Sequence, residues 1–240
     1  MKSNLTLPTF SLRLLTTLAC VWTMLAKQSA EAQAPASSQP QKVLILGNSI
    51  TRHGPKADIG WTGNWGMAAS AEEKDFVHLI EKALTERAGA NAKPKVLAVN
   101  IAEFERNYAT YDVAAKLKEA TTFGADLIIL AIGENVPALT TEDSKAQFKF
   151  SVLKLLAALK GDRSPRIIVR SPFWANPAKD ETLKQVAQET GGVFVDISAL
   201  GKDESNYARS ERPFKNEGVA RHPGDKGMQA IADAIMSKAP

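Results

Sequence analysis

The chain has 240 residues, 44% of them hydrophobic and 23% charged, with a formal net charge of +4. That length suits one α/β domain with a proper core, and Lys and Arg interspersed with Asp and Glu, with no basic block, argue against nucleic acid as a partner. One cysteine, Cys20, excludes a small disulfide-stapled scaffold.

The first segment reads as a leader. Lys2 and Arg13 precede an apolar run over residues 14–26, and Ala30-Glu31-Ala32 fits a small-x-small cleavage site, so residues 1–32 are expected to be a secretory signal peptide cut after Ala32. The run is about 13 residues, short of the roughly 20 that a membrane anchor needs. Thr17-Leu18-Ala19 is a poor lipidation context for Cys20, and the apolar run continues past it. The leader holds Lys2, Arg13 and Lys27 against Glu31, so the mature chain is nearly neutral, has no cysteine and must hold by its core. Bacterial export, to the periplasm or beyond, is the expected location, with no stable membrane insertion after cleavage. Residues 33–41 form a polar, proline-bearing linker, and residues 42–240 form the domain.

The domain alternates. Residues 43–46 are an apolar run of the kind buried on both faces of a sheet, and the residues just after Ser49 read as a helix. A helix over 75–88 carries Phe76, Leu79, Ile80, Ala83 and Leu84 on one stripe. A strand over 96–99 is followed by a helix over 111–121, with Val113, Leu117 and Ala120 on one face. Residues 126–132 are the strongest strand signal. A helix over 145–159 stops at Lys160-Gly161. Residues 166–170 form a strand, 179–190 a helix ending at Gly191-Gly192, 193–197 a strand and 224–238 the last helix. Five strands alternating with helices predict an α/β three-layer sandwich, a five-stranded parallel sheet covered on both faces.

Ligands of such sheets sit beyond the carboxyl ends of the strands. Ser49, Ala102, Gly133-Glu134-Asn135 and the loop from Ser171 to Trp174 come after the first four strands, and His222 lies in the loop that opens the last helix. Ser49 is a candidate nucleophile, against the alternative of a helix N-cap, and His222 is the candidate base. Asn135 can offer its amide to a developing oxyanion, as can the N–H groups of Ser49 and of a residue after the second strand; the alternative for Asn135 is a turn residue beside Gly133 and Pro137. His53 is placed at the cleft rim and His78 in a structural or surface position. Three dispersed histidines give no metal-ligand spacing, and no metal or cofactor is expected. Of Trp61, Trp65 and Trp174, at least two are expected to cover the core, with stacking on a sugar ring as the alternative for one. Glu103, Glu105 and Arg106 read as a solvated helix start.

Gly47-Asn48-Ser49-Ile50-Thr51, Gly133-Glu134-Asn135 and the block from His222 to Met228 (His-Pro-Gly-Asp-Lys-Gly-Met) resemble the first, third and fifth sequence blocks of the SGNH (GDSL-type) esterase and lipase superfamily. The resemblance covers the chain from about Lys42 onward. It implies a flavodoxin-like sheet and hydrolysis of carboxylic esters, often acetyl or other acyl groups on sugars, lipids or small alcohols. It maps the family's serine, asparagine and histidine onto Ser49, Asn135 and His222. It also implies an oxyanion hole from Ser49, Ala102 and Asn135, and a small-molecule or glycan ester as substrate.

The chain departs from that pattern at three places. Asn48 stands where the family usually has Asp. Asn100-Ile101-Ala102 occupies the place of the oxyanion glycine, and Val219 stands where the triad acid is expected, three residues before the histidine. The remaining options behind the imidazole are a backbone carbonyl, which leaves a Ser–His dyad, or an acid from elsewhere: Glu217, Asp225 or Glu134. The departures also keep open a non-catalytic glycan-binding descendant of the fold. A lipase or lysophospholipase is the third reading.

Overall fold

A computed structural model describes Met1 and residues 39–89 and 93–240. The expected leader, Cys20 and the linker as far as residue 38 lie outside these residues. In chain order the described domain contains β1 (Lys42–Gly47), α1 (Phe76–Ala88), β2 (Lys95–Asn100), α2 (Ala102–Asn107), α3 (Val113–Lys116), α4 (Lys118–Thr122), β3 (Leu127–Ala131), α5 (Glu142–Lys160), β4 (Arg166–Arg170), α6 (Pro177–Glu189), β5 (Val193–Val195), α7 (Glu217–Ala220) and α8 (Asp225–Met236).

The five strands form one sheet in the order β2-β1-β3-β4-β5, with every pairing parallel. This is the flavodoxin-like order, whose direction reverses between β1 and β3. Alternation along the strands sorts the core into two layers. Leu44, Leu46, Ile128 and Leu130 face Phe104, Phe148, Val152, Leu155, Leu183 and Val186, which come from α2, α5 and α6. Val43, Ile45, Leu127 and Ile129 face Phe76, Ile80, Leu84, Met228, Ile231 and Ile235, from α1 and α8. The interior strands therefore show unbroken apolar runs, whereas β2, at the edge, is only half-buried.

The expected elements are present, and their ends obey local chemistry. Asp75 caps α1 by accepting from the His78 N–H. α5 begins earlier than its apolar stripe, at Glu142, because Thr141 and Ser144 form a reciprocal cap. α6 likewise starts at Pro177, behind an Asn176 cap. The expected helix over 111–121 is broken into α3 and α4: Leu117 leaves helical geometry (φ −119°, ψ 32°) and is buried against the sheet. No helix comes directly after Ser49. The Thr51 and Arg52 N–H groups both return to the Asn48 carbonyl in a tight turn, and the chain then enters two antiparallel bridges, His53–Trp65 and Lys56–Trp61. No helix among the described residues is long and apolar enough to cross a membrane.

Candidate active site

Gly47 ends β1 where a Cβ would collide with the Thr51 hydroxyl and the Ala131 carbonyl of the neighbouring strand. The Asn48 side-chain oxygen accepts from the Ile50 N–H (3.1 Å), and the Ser49 carbonyl accepts from the Met67 N–H (2.8 Å). Ser49 is thereby fixed at the carboxyl edge of the sheet, on the β1 side of the β1/β3 switch point. Its N–H meets no acceptor among the described residues.

Ser49 Oγ lies 2.8 Å from His222 Nε2. The imidazole is held from behind as well, with Nδ1 2.7 Å from the Gly218 carbonyl oxygen. A carbonyl only accepts, so Nδ1 carries the hydrogen and Nε2 is left as the acceptor for the serine hydroxyl. The Trp174 ring stands edge-on to the imidazole at 5.8 Å. Burial pushes the His222 pKa below its ordinary value of 6.5, against the raising effect of the Gly218 hydrogen bond and the Glu134 charge. The neutral, proton-accepting form is the one favoured.

None of the acids considered from the sequence stands behind His222. The Glu217 carboxylate is exposed and faces Arg209 at 3.9 Å. Val219 is buried with Trp61, Met67, Ala68 and Ala208, an apolar cluster with no place for a carboxylate. Asp225 begins α8 and receives the N–H (2.7 Å) and hydroxyl of Ser70. Glu134 is buried in an ion pair with Arg170 at 2.7 Å and also accepts from the Phe173 N–H (2.9 Å).

The expected oxyanion donors differ in availability. The Ala102 N–H is committed to Asn100 Oδ1 at 2.9 Å in a local turn, because Ala102 opens α2 without a side-chain cap of its own. Asn135 Nδ2 gives one hydrogen to Glu105 Oε2 at 2.8 Å. Its second hydrogen has no acceptor among the described residues. Ser49, Ala102, Asn135 and His222 all line one cleft of about 440 Å³. His53 sits on its rim, as expected, with Asn100, Glu103, Arg106 and Asn216 supplying polar walls and Ile59, Met67 and Val219 an apolar one.

Glu105 corrects the sequence reading. The sequence places it at a solvated helix start, whereas it is fully buried. Its carboxylate receives the Gly133 N–H (2.5 Å), the Asn135 N–H (3.3 Å), Asn135 Nδ2 and Asn48 Nδ2 (3.3 Å). Asn48 Nδ2 also reaches Glu134 Oε2 at 2.7 Å. Beneath them Lys179 Nζ donates to the Gly133 carbonyl (2.9 Å) and to that of Val136. Burial, and then the Glu134 charge, push the Glu105 pKa up, and burial pushes that of Lys179 down. A signal for this network exists in the sequence. Arg170 ends a strand whose other interior residues are apolar, so its charge requires a partner at that edge of the sheet, and Glu134 is in the neighbouring loop.

The tryptophans divide as expected for at least two. Trp61 and Trp65 pack edge-to-face at 5.6 Å in apolar surroundings, and their indole N–H groups donate to the His53 and Ala69 carbonyls. His78 is a structural residue bonded to Asp75 at 2.8 Å. Among the described residues no group of His, Cys, Asp and Glu is arranged to hold a metal ion.

No protein-family model matches the chain, and no curated protein matches it in sequence. Among solved structures it is similar to a candidate GDSL-like lipase of Bacteroides uniformis, at 14% identity and TM-score 0.51, covering 82% of this chain and 94% of that one. It is similar to an extracellular lipase of Streptomyces rimosus at 13% identity and TM-score 0.51, over 83% and 100% of the two chains. It also resembles a candidate SGNH hydrolase of Slackia heliotrinireducens, at 16% identity and TM-score 0.50, over 82% and 98%.

Proposed function

We propose that this chain, which has the SGNH/GDSL hydrolase fold, is a serine esterase. The reading rests on one observation above all: Ser49 Oγ is 2.8 Å from a histidine nitrogen that is free to accept its proton. In the proposed cycle His222 Nε2 takes the proton as Ser49 Oγ bonds to the ester carbonyl carbon. The Ser49 N–H and the second hydrogen of Asn135 Nδ2 receive the negative oxygen. The intermediate collapses with loss of the alkoxide, to which His222 returns the proton. Water then attacks the acyl-enzyme by the same route in reverse and frees the carboxylic acid. The Gly218 carbonyl steadies the imidazolium in place of a carboxylate, so the pair works as a dyad.

The cleft favours a short acyl group. Its apolar wall is limited to Ile59, Met67 and Val219, while its asparagines and Arg106 suit a hydroxyl-rich alcohol. An exported enzyme removing acetyl groups from carbohydrate is the fuller form of the proposal. Turnover of 4-nitrophenyl acetate by residues 33–240 and by its Ser49→Ala variant tests it. The variant is expected to lose at least about 10³-fold in kcat, and equal rates sink the nucleophile.

The commitment of the Ala102 N–H to Asn100 supports a second reading, a glycan-binding protein without catalysis. Polysaccharide binding with no acyl hydrolysis and no fluorophosphonate labelling of Ser49 selects it.

A further inference from the structure

Four hydrogen-bond donors converge on the buried carboxylate of Glu105, and they come from two different strand-end loops. Asn48 belongs to the loop after β1, Gly133 and Asn135 to the loop after β3, and Glu105 itself is carried by α2, after β2. Every one of these contacts uses Glu105 as an acceptor, the role in which a carboxylate offers the most lone pairs. A buried carboxylate is costly unless so surrounded. Lys179 and the Arg170–Glu134 pair supply the neighbouring charge.

We infer that Glu105 is a positioning residue for Asn135. The Asn135 amide has two faces of similar shape and opposite chemistry. Rotated by half a turn, it would set Oδ1 against the Glu105 carboxylate, acceptor against acceptor. Glu105 Oε2 therefore holds the nitrogen toward itself, and because Nδ2 is planar with two hydrogens, the second is directed away from Glu105 along the cleft that Asn135 lines. The bonds from the Gly133 and Asn135 N–H groups fix the loop backbone to the same carboxylate, so position and rotamer are set together. Gly133, at φ +126° with Pro172 packed where a Cβ would sit, lets the loop turn tightly enough to reach it. The identity of residue 48 fits the same arrangement. An Asp there would put a third carboxylate against Glu105 and Glu134, whereas the Asn48 amide donates to both.

The inference rests on the esterase reading for its kinetic consequence, but not for its geometric one. Glu105→Gln can present only one oxygen where two acceptors are needed, leaving either Gly133 or Asn135 facing an amide hydrogen. With 4-nitrophenyl acetate, Glu105→Gln is expected to lower kcat by about 10- to 100-fold with KM within about twofold, as for loss of an oxyanion contact. In an Asn135→Ala background the same substitution is expected to change kcat by less than about twofold, because the group it positions is gone. A second measurement needs no activity. Of the two side-chain amide hydrogens of Asn135, assigned by their disappearance in Asn135→Ala, the one bonded to Glu105 should exchange slowly in the wild-type protein by NMR and rapidly in Glu105→Gln, whereas the one directed into the cleft should exchange rapidly in both. Wild-type kcat in Glu105→Gln, an undiminished loss in the Asn135→Ala background, or free exchange of both Asn135 side-chain hydrogens in the wild-type protein each overturn the inference. If Glu105→Gln does not fold, the wild-type exchange rate decides. A wild-type protein with no turnover overturns the esterase reading instead, and the exchange measurement still decides the role of Glu105.

Discussion

His222 Nδ1 is 2.7 Å from the Gly218 carbonyl oxygen, so a peptide dipole stands where a carboxylate would complete a triad. The carbonyl is brought there by α7: the His222 N–H returns to the Val219 carbonyl, and Asn216 caps the turn by accepting from the Val219 N–H at 3.1 Å.

Restoring an acid at the familiar spacing is therefore expected to fail. The Val219 side chain is buried in the apolar cluster with Trp61, Met67 and Ala208, and Nδ1 is already bonded to the Gly218 carbonyl. Val219→Asp should destabilise the fold by roughly 3 kcal/mol without raising kcat. Urea unfolding and 4-nitrophenyl acetate kinetics check both parts, and a gain in kcat would show that the side chain reaches the imidazole after all.

The proposed mechanism makes a pH dependence out of the lowered pKa of His222. In that mechanism the imidazole must be neutral, so the acidic limb of kcat/KM should have its midpoint below pH 6.5. The same shift acts on stability. The unfolded chain binds a proton at His222 near pH 6.5, the folded one only at lower pH, so this group takes stability away as pH falls through that window and has no effect well above it. A kcat/KM profile with its acidic midpoint above 6.5 contradicts the assignment.

At residue 48 the family-like aspartate should be harmful. Asn48→Asp places a carboxylate against Glu105 and Glu134 and removes the donor that serves both. A loss of roughly 3 kcal/mol or more at pH 7 is expected, from like charge and desolvation together. Its carboxyl is forced toward the protonated form, so the loss should shrink as pH falls from 7 to 5. Denaturant midpoints at the two pH values measure this, and an equal loss at both would contradict it.

Arg170→Met removes the cation from a pair whose partner, Glu134, is 3% exposed. The stranded charge should cost about 3–5 kcal/mol. Arg170→Met combined with Glu134→Gln should recover part of that, since the uncompensated charge is then gone; thermal melts of the single and double variants decide it.

How far the sequence could be read depended on which property carried the information. The sheet was legible because Val43 to Leu46 and Leu127 to Ala131 are buried on both faces, and such runs mark interior strands. Ser49 and His222 were legible because each stands at an element edge. Glu105 was not, since nothing local distinguishes an acid beside Phe104 on a buried face from one on a wet face. Its burial is decided by donors some 28 to 57 positions away. The turn after Ser49 escaped the sequence for a similar reason: the chain there is drawn into bridges with Trp61 and Trp65 rather than continuing a helix.

Those bridges separate two tasks along the chain. The stretch from His53 to Trp65 is fastened largely to itself, through His53–Trp65, Lys56–Trp61 and the Trp61 indole on the His53 carbonyl. It contributes His53 and Ile59 to the cleft. Ser49 and His222 are anchored elsewhere, by the sheet edge and by α7. The stretch is nevertheless not independent of the histidine, because Trp61 packs with Val219 of α7, so a change of side chain at position 61 should disturb the cleft wall and the seat of the imidazole together.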